Sequence, residues 1–224
     1  MGQPPESPAP GHPPVKLARC GVQVLRLDPV RPDPAALARA AEVLRAGGLV
    51  IFPTETLYGL AADAANPAAL ERLAGLKGRD AAKPFPLIAP DQAAVAALAA
   101  EIPPAAQRLM ARHWPGALTL VLPARPGLSP RLVSADGGVA VRLSPHPVAA
   151  GLARALGRAL TATSANPGGE PAVADPRELA PSILAGVELL LAAGACPGGP
   201  PSTVADARQV PVRVLRSGAI VLLE

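Results

Sequence analysis

Aromatic residues make up only 2% of this 224-residue chain. So few rings cannot form a row of stacking platforms for single-stranded nucleic acid. The core must instead be built from Ala, Leu and Val. Cysteine is equally scarce: Cys20 and Cys196 lie far apart and lack metal-site spacing,. A reduced, cytoplasmic setting is the expectation. The three histidines, His12, His113 and His146, are isolated, and the last two adjoin proline turns. No Ser-His-Asp or Cys-His machinery is visible, nor any G-x-x-x-x-G-K-[ST], G-x-G-x-x-G or G-x-S-x-G signature. No apolar run reaches the roughly 18 residues of a membrane-spanning helix, and the N-terminus lacks the apolar segment of a signal peptide. Lysine is rare beside 18 arginines: only Lys16, Lys77 and Lys83 occur, the last two in one short segment. That pairing hints at a need for a compact ammonium, with chance clustering as the alternative.

Half of the residues are apolar, so a sizeable core is within reach,. The net charge of +4 and pI of about 9.7 suit anionic ligands without establishing nucleic-acid binding,. Residues 1–20 are expected to be a disordered Pro-rich tail and 21–224 a single domain. Expected strands are Val22–Leu27, Leu49–Phe52, Phe85–Ile88, Leu118–Leu122, Val139–Leu143, Leu160–Thr163, Val187–Leu191, Thr203–Asp206, Val212–Leu215 and Ala219–Leu222. Asp33-Pro34, Asn66-Pro67, Asp91 and Asp175-Pro176 each read as helix starts. Strands and helices mix without strict alternation, which points to one mixed α/β sheet.

The stretch Ile51–Leu60 gathers the densest set of polar groups. After an apolar strand, Pro53 precedes Thr54, Glu55, Thr56 and Tyr58, and Gly59 closes the group. Ligands in open α/β sheets bind beyond strand carboxyl ends; a self-capped polar loop is the competing interpretation. Lys77, Arg79 and Lys83 place three cations in one loop, as a polyphosphate requires, or as a solvated surface loop displays. Ser164 and Asn166 precede a glycine loop and could hold a phosphate or a ribose, or could simply stabilise their own turn. Arg142 ends an apolar strand. A buried arginine there needs an anionic partner, served equally by a substrate carboxylate or an internal acid. Ser202 and Arg216 add polar groups at strand ends.

These stretches together resemble the YrdC/Sua5 family, the L-threonylcarbamoyladenylate synthases. The resemblance rests on Phe52–Leu60, Lys77-Gly78-Arg79, Lys83-Pro84 and Trp114–Leu120, then on Val139–Arg142, His146-Pro147 and Thr163–Asn166, and finally on Pro201–Val204 and Leu215–Ile220, all in the family's order. It implies a YrdC-like twisted mixed sheet with helices around a large basic cavity. It implies synthesis of threonylcarbamoyl-AMP and pyrophosphate from L-threonine, bicarbonate and ATP, with Mg²⁺ accompanying the nucleotide. The product would feed a transferase complex that installs t6A at position 37 of tRNA.

By the same resemblance Thr56, Arg142 and Ser202 would hold L-threonine, Arg142 taking its carboxylate. Lys77, Arg79, Lys83, Ser164, Asn166 and Arg216 would hold ATP, with no metal-ligating residue set. Two departures stand out. Where some members carry a threonine-contacting His, this chain has Phe85-Pro86-Leu87-Ile88, and Gly138 replaces a hydroxyl found in relatives. The chain is expected to be the short, single-domain form. Two rival functions remain open at this point. One is a non-catalytic module for double-stranded RNA or tRNA. The other is the carbamoyl-transfer role of YrdC-like domains in hydrogenase maturation proteins, which come with zinc-finger-type cysteines that this chain lacks.

Overall fold

Three aspartate or asparagine side chains start the helices where the sequence places them. Asp33 accepts from Ala35 N at 2.9 Å, Asn66 from Ala69 N at 3.1 Å and Asp91 from Ala94 N at 2.8 Å. Each satisfies an orphan N–H of a first turn. The computed structural model describes residues 21–78 and 83–222; the expected tail therefore lies outside the described residues. The resulting helices are α1 (Pro34–Arg45), α2 (Pro67–Lys77), α3 (Gln92–Leu98), α4 (Pro104–His113), α5 (Pro147–Leu156) and α6 (Pro181–Ala185). α1 buries Leu37, Ala40, Ala41 and Leu44, the face its apolar spacing predicts, together with Val43,. α2 stops at Gly78, whose φ of +55° is the left-handed cap that glycine adopts without a Cβ penalty,.

The strands are β1 (Gln23–Arg26), β2 (Val50–Pro53), β3 (Tyr58–Ala61), β4 (Leu87–Ile88), β5 (Leu118–Pro123) and β6 (Gly138–Arg142), followed by β7 (Leu160–Thr161), β8 (Thr163–Ser164), β9 (Leu189–Ala192), β10 (Thr203–Asp206) and β11 (Arg213–Arg216). The α/β class is borne out, but the strands form two mixed sheets rather than one. The first runs β1-β9-β2-β3-β8 and the second β11-β10-β5-β6-β4-β7, each with parallel and antiparallel pairs.

The division falls inside the segment expected to be a single strand over Leu160–Thr163. Thr161 pairs with Leu87 in the second sheet, and Thr163 pairs with Leu60 in the first. The chain thus crosses between sheets over Ala162 alone. Thr161 also stitches the crossing, donating to Leu60 O at 3.1 Å and accepting from Ala62 N at 2.8 Å.

Two further expectations are corrected. The helix expected from Asp175 to about Leu184 is a single 3-10 turn over Pro176–Glu178 followed by α6. Pro181 lacks the N–H that continuity needs and pushes Ala180 out of helical geometry, to ψ 137°,. The strand expected over Ala219–Leu222 does not form. Instead, Thr203 Oγ1 donates to Ile220 O at 2.6 Å and accepts from Ile220 N at 3.0 Å, so a side chain takes both backbone groups.

Strand alternation feeds two cores. Leu49, Ile51, Tyr58 and Leu60 face inward against Leu87, Leu118, Leu120 and Val141 of the second sheet. Val50 and Phe52, on the opposite face of β2, pack beneath α1 and α5 with Leu37, Leu44, Val148 and Leu152,. The first core lies between the sheets, so polar groups at the adjoining strand ends converge on one place.

α5 begins at His146, whose Nδ1 accepts from Val148 N at 3.2 Å. Burial holds this half-buried imidazole below its ordinary value of 6.5, with the Glu55 charge pulling the other way,. Protonation would turn the accepting nitrogen into a donor and remove the cap. The unfolded chain binds this proton more readily than the folded one. The stabilising contribution is therefore complete above 6.5 and is lost as pH falls through the lowered folded value,. Between about pH 7.5 and pH 5, the melting temperature of the native chain is expected to fall more steeply than that of His146→Asn, whose amide oxygen caps without titrating. Parallel slopes in a calorimetric pH series would remove His146 from the acid response.

Candidate functional site

A cavity of about 410 Å³ opens where the two sheets meet. That volume lies in the range of small-molecule sites. The β2–β3 hairpin reaches it first. Pro53 pairs with Tyr58, leaving Thr54–Leu57 as a four-residue turn. Thr54 Oγ1 donates to Leu57 O at 2.7 Å and Thr54 N to the same oxygen at 3.2 Å, so the turn is closed by its own hydroxyl,. Both interpretations of this stretch therefore hold, since the self-capped turn also presents Thr54 and Thr56 to the cavity. Tyr58 also lines the cavity, but its hydroxyl is engaged elsewhere. Its hydroxyl donates to Gly194 O at 2.6 Å and accepts from Ala193 N at 3.2 Å. Burial pushes this phenol well above its usual range, so it fastens the hairpin to the end of β9.

Arg142, the last residue of β6, is buried yet lines the cavity. The alternatives open in the sequence resolve into a shared arrangement. Arg142 Nε donates to Glu55 Oε1 at 2.9 Å, so an internal acid takes one edge of the guanidinium. Neither Nη nitrogen has a hydrogen-bond partner among the described residues. Two parallel N–H donors on a fixed plane form the fork that a carboxylate fits. Ser144 Oγ donates to the other Glu55 oxygen, and His146 N donates to Ser144 Oγ at 3.2 Å. Ser144 escaped the sequence reading, and Glu55 entered it only as one polar group of the Ile51–Leu60 stretch, without its pairing to Arg142. The only cue was a carboxylate between two threonines, with a buried arginine elsewhere in need of an anion.

Ser202 and Arg216 come from the other edge of the second sheet. Arg216 Nη2 donates to Ser202 O at 2.7 Å and to Ser202 Oγ at 3.1 Å, while Ser202 Oγ lies 3.0 Å from Thr119 Oγ1. Gly218 makes this packing possible, because a Cβ there would meet Pro201 O at 2.2 Å and Ser202 C at 2.6 Å. Burial, and secondly the charge of Arg142, lower the proton affinity of Arg216. Expected on the nucleotide side, Arg216 is bonded to Ser202 and lies within electrostatic reach of Arg142.

Ser164 and Asn166 line the cavity from the end of β8. Lys77 does not line it. Its Nζ donates to Ser164 O at 2.7 Å, Asn166 O at 2.6 Å and Asn166 Oδ1 at 3.2 Å, so its ammonium holds the 164–166 loop. Asn166 Nδ2 donates to Pro167 O at 3.0 Å and also to Glu170 O. The Asn166 side chain is thus spent on the loop. Lys83 is exposed and outside the cavity lining, and Arg79 lies outside the described residues. Cys196 is buried, and burial pushes its thiol up to about 11, which disfavours the thiolate,.

Among the described residues no group of three His, Cys, Asp or Glu side chains could hold a metal ion, and no helix is long and apolar enough to cross a membrane. The cavity lining offers hydroxyls, carbonyls and two guanidiniums, with Glu170 as its acid. Such a set can bind anions and position them, and it supplies no covalent nucleophile.

The family model Sua5/YciO/YrdC, described as telomere recombination, matches residues 42–218. The chain is 38% identical over 186 residues to the threonylcarbamoyl-AMP synthase of Bacillus subtilis, covering 82% of this chain and 54% of that one. It is 41% identical over 150 residues to the threonylcarbamoyl-AMP synthase of Stenotrophomonas maltophilia, covering 66% and 81%. The chain thus spans about half the length of the first relative and most of the second. The fold superposes on Pyrococcus abyssi Sua5 solved with L-threonine, with a TM-score of 0.83 at 34% identity over 87% of this chain and 57% of that one. It also superposes on Escherichia coli YciO, with a TM-score of 0.79 at 27% identity over 88% and 96%.

Proposed function

The chain belongs to the Sua5/YciO/YrdC family, and from that premise we propose that it is a threonylcarbamoyl-AMP synthase acting on L-threonine, bicarbonate and ATP. The observation that carries the proposal is the buried Arg142 fork, held through Nε and open at both Nη nitrogens within a cavity lined by hydroxyls. It matches the carboxylate of an amino acid. In this reading Thr56 and Ser202 complete the threonine site. Arg79 and Lys83 neutralise the triphosphate, with Ser164 and Arg216 on the nucleotide and Asn166, its amide engaged within the loop, shaping the cavity wall beside it. Lys77 serves by holding Ser164 and Asn166 in place.

The chemistry needs no protein nucleophile. The threonine amine and bicarbonate give the carbamate with loss of water. A carbamate oxygen then attacks the α-phosphorus, the bond to the β-phosphate breaks, and pyrophosphate leaves. Cations aimed at the oxygens that gain charge lower this barrier. Positioning both anions in one cavity supplies the rest. Mg²⁺, when bound, would ride on the nucleotide's own phosphates, since the described residues present no donor set for it; it would add charge neutralisation there. The reading further holds that residues 21–224 act as one catalytic unit in the cytoplasm, and that a transferase complex passes the product to tRNA.

Pyrophosphate release from ATP tests it. Release is expected only with both L-threonine and bicarbonate, and Arg79→Ala is expected to reduce it by about 10²–10³-fold. Well-folded protein with no threonine-dependent release, together with salt-sensitive tRNA binding, would instead support an RNA-binding module.

A further inference from the structure

Glu55 does not line the cavity, yet it fixes the charge of its arginine-bearing end. Its side chain is 11% exposed and that of Arg142 5%, so the pair interacts with little screening by water,. Both carboxylate oxygens are engaged, one by Arg142 Nε and the other by Ser144 Oγ, and Ser144 is held in turn by the His146 backbone. Glu55 therefore cannot swing away to accommodate a ligand. Arg142 and Arg216 both line the cavity, as does the exposed Glu170. Arg216 is bonded to Ser202, so the Arg142 fork is the pair of donors open here. Paired with Glu55 the fork is close to neutral as a unit and offers two directed N–H donors to one carboxylate. Without Glu55 it would carry an uncompensated positive charge and draw a phosphate dianion more strongly than a monoanion. The cavity has to keep these two chemistries apart, because a polyphosphate and an amino acid would occupy neighbouring places in it.

We propose that Glu55 is a specificity-determining residue that keeps the Arg142 fork a monocarboxylate site and excludes phosphate from it. The proposal rests on the synthase reading given above. Glu55 acts through Arg142 and never touches substrate, so it is a positioning residue. Its carboxylate, bonded to Arg142 Nε and outside the cavity lining, repels the second charge of any phosphate bound at the fork. It also presents the two Nη donors together.

The test uses the full chain and Glu55→Gln, which keeps an oxygen for Arg142 Nε and removes the charge. L-Threonine is titrated calorimetrically with and without inorganic phosphate, which requires no turnover, and pyrophosphate release is followed in parallel. In the variant, phosphate is expected to compete with threonine about tenfold more strongly. Inorganic phosphate at a fixed concentration is expected to raise the apparent KM for threonine in the variant more than in the native chain, while the KM for ATP and kcat hold. Glu55→Asp, which restores the charge, should recover discrimination in part. A folded Glu55→Gln protein with the native ratio of phosphate to threonine affinity would overturn the proposal, as would equal rises in both KM values. If Glu55→Gln does not fold, Ser144→Ala decides. Loosening the carboxylate should shift the ratio in the same direction by a smaller factor, and an unshifted ratio overturns the proposal. Failure of the synthase reading is separately visible as native protein that neither binds threonine nor turns over.

Discussion

Arg142→Met is expected to reduce threonine-dependent pyrophosphate release by at least about 10³-fold and to destabilise the protein by about 3–5 kcal/mol. The two losses have different causes. Turnover falls because the Nη donors that would meet the substrate carboxylate are gone. Stability falls because Glu55 is left buried without its cation, and an uncompensated charge costs more than the pair was worth,. The double variant Arg142→Met/Glu55→Gln separates them. It removes the stranded charge, so denaturant unfolding should show most of the lost stability restored while turnover stays absent. A single variant as stable as the native chain would show that the buried pair is not a unit. Turnover within tenfold of native would remove Arg142 from the threonine site.

Lys77→Met should produce the other large effect. The ammonium is buried and gives hydrogen bonds to Ser164 O, Asn166 O and Asn166 Oδ1. Leaving such acceptors unsatisfied costs about 1–3 kcal/mol each, so a loss on the order of 3–5 kcal/mol is expected. The loop it holds packs tightly: Gly168 N donates to Lys77 O at 3.1 Å, and a Cβ at Gly168 would meet that oxygen at 2.6 Å. Release of this latch should speed amide hydrogen exchange over residues 164–170 and raise the KM for ATP more than that for threonine. Lys77→Arg should fail to rescue, because a planar fork cannot direct donors at three oxygens clustered around one point. If Lys77→Met retained native stability and changed only the KM for ATP, the residue would be a direct phosphate ligand, as the sequence first suggested.

What could be read from the sequence was local. Asp33, Asn66 and Asp91 cap helices because their partners lie two or three residues away. The α1 face followed from its spacing. Six expected site residues, Thr56, Arg142, Ser164, Asn166, Ser202 and Arg216, do converge on one cavity, since strand ends gather where sheets meet. What was missed was non-local. Glu55 and Arg142 are 87 positions apart, and no pattern in the chain says which acid answers a buried arginine. Lys77 lies beside a charged loop and so was expected to face solvent or phosphate; only the packing of α2 against residues 164–168 buries it. The division into two sheets was also hidden, because β7 and β8 are two residues each and their partners are chosen by the assembled fold.

The passage over Ala162 limits how the molecule can move. Thr161 belongs to one sheet and Thr163 to the other, and a single intervening residue leaves little slack for the sheets to slide past each other. Thr161, bonded to Leu60 and Ala62, clamps the crossing, and the buried Glu55–Arg142 pair joins the same two sheets beside the cavity. Thr56, Ser164 and Asn166 belong to the first sheet's side of that cavity, and Arg142, Ser202 and Arg216 to the second's. A ligand held from both sides therefore meets walls whose spacing is set by these two ties before it arrives.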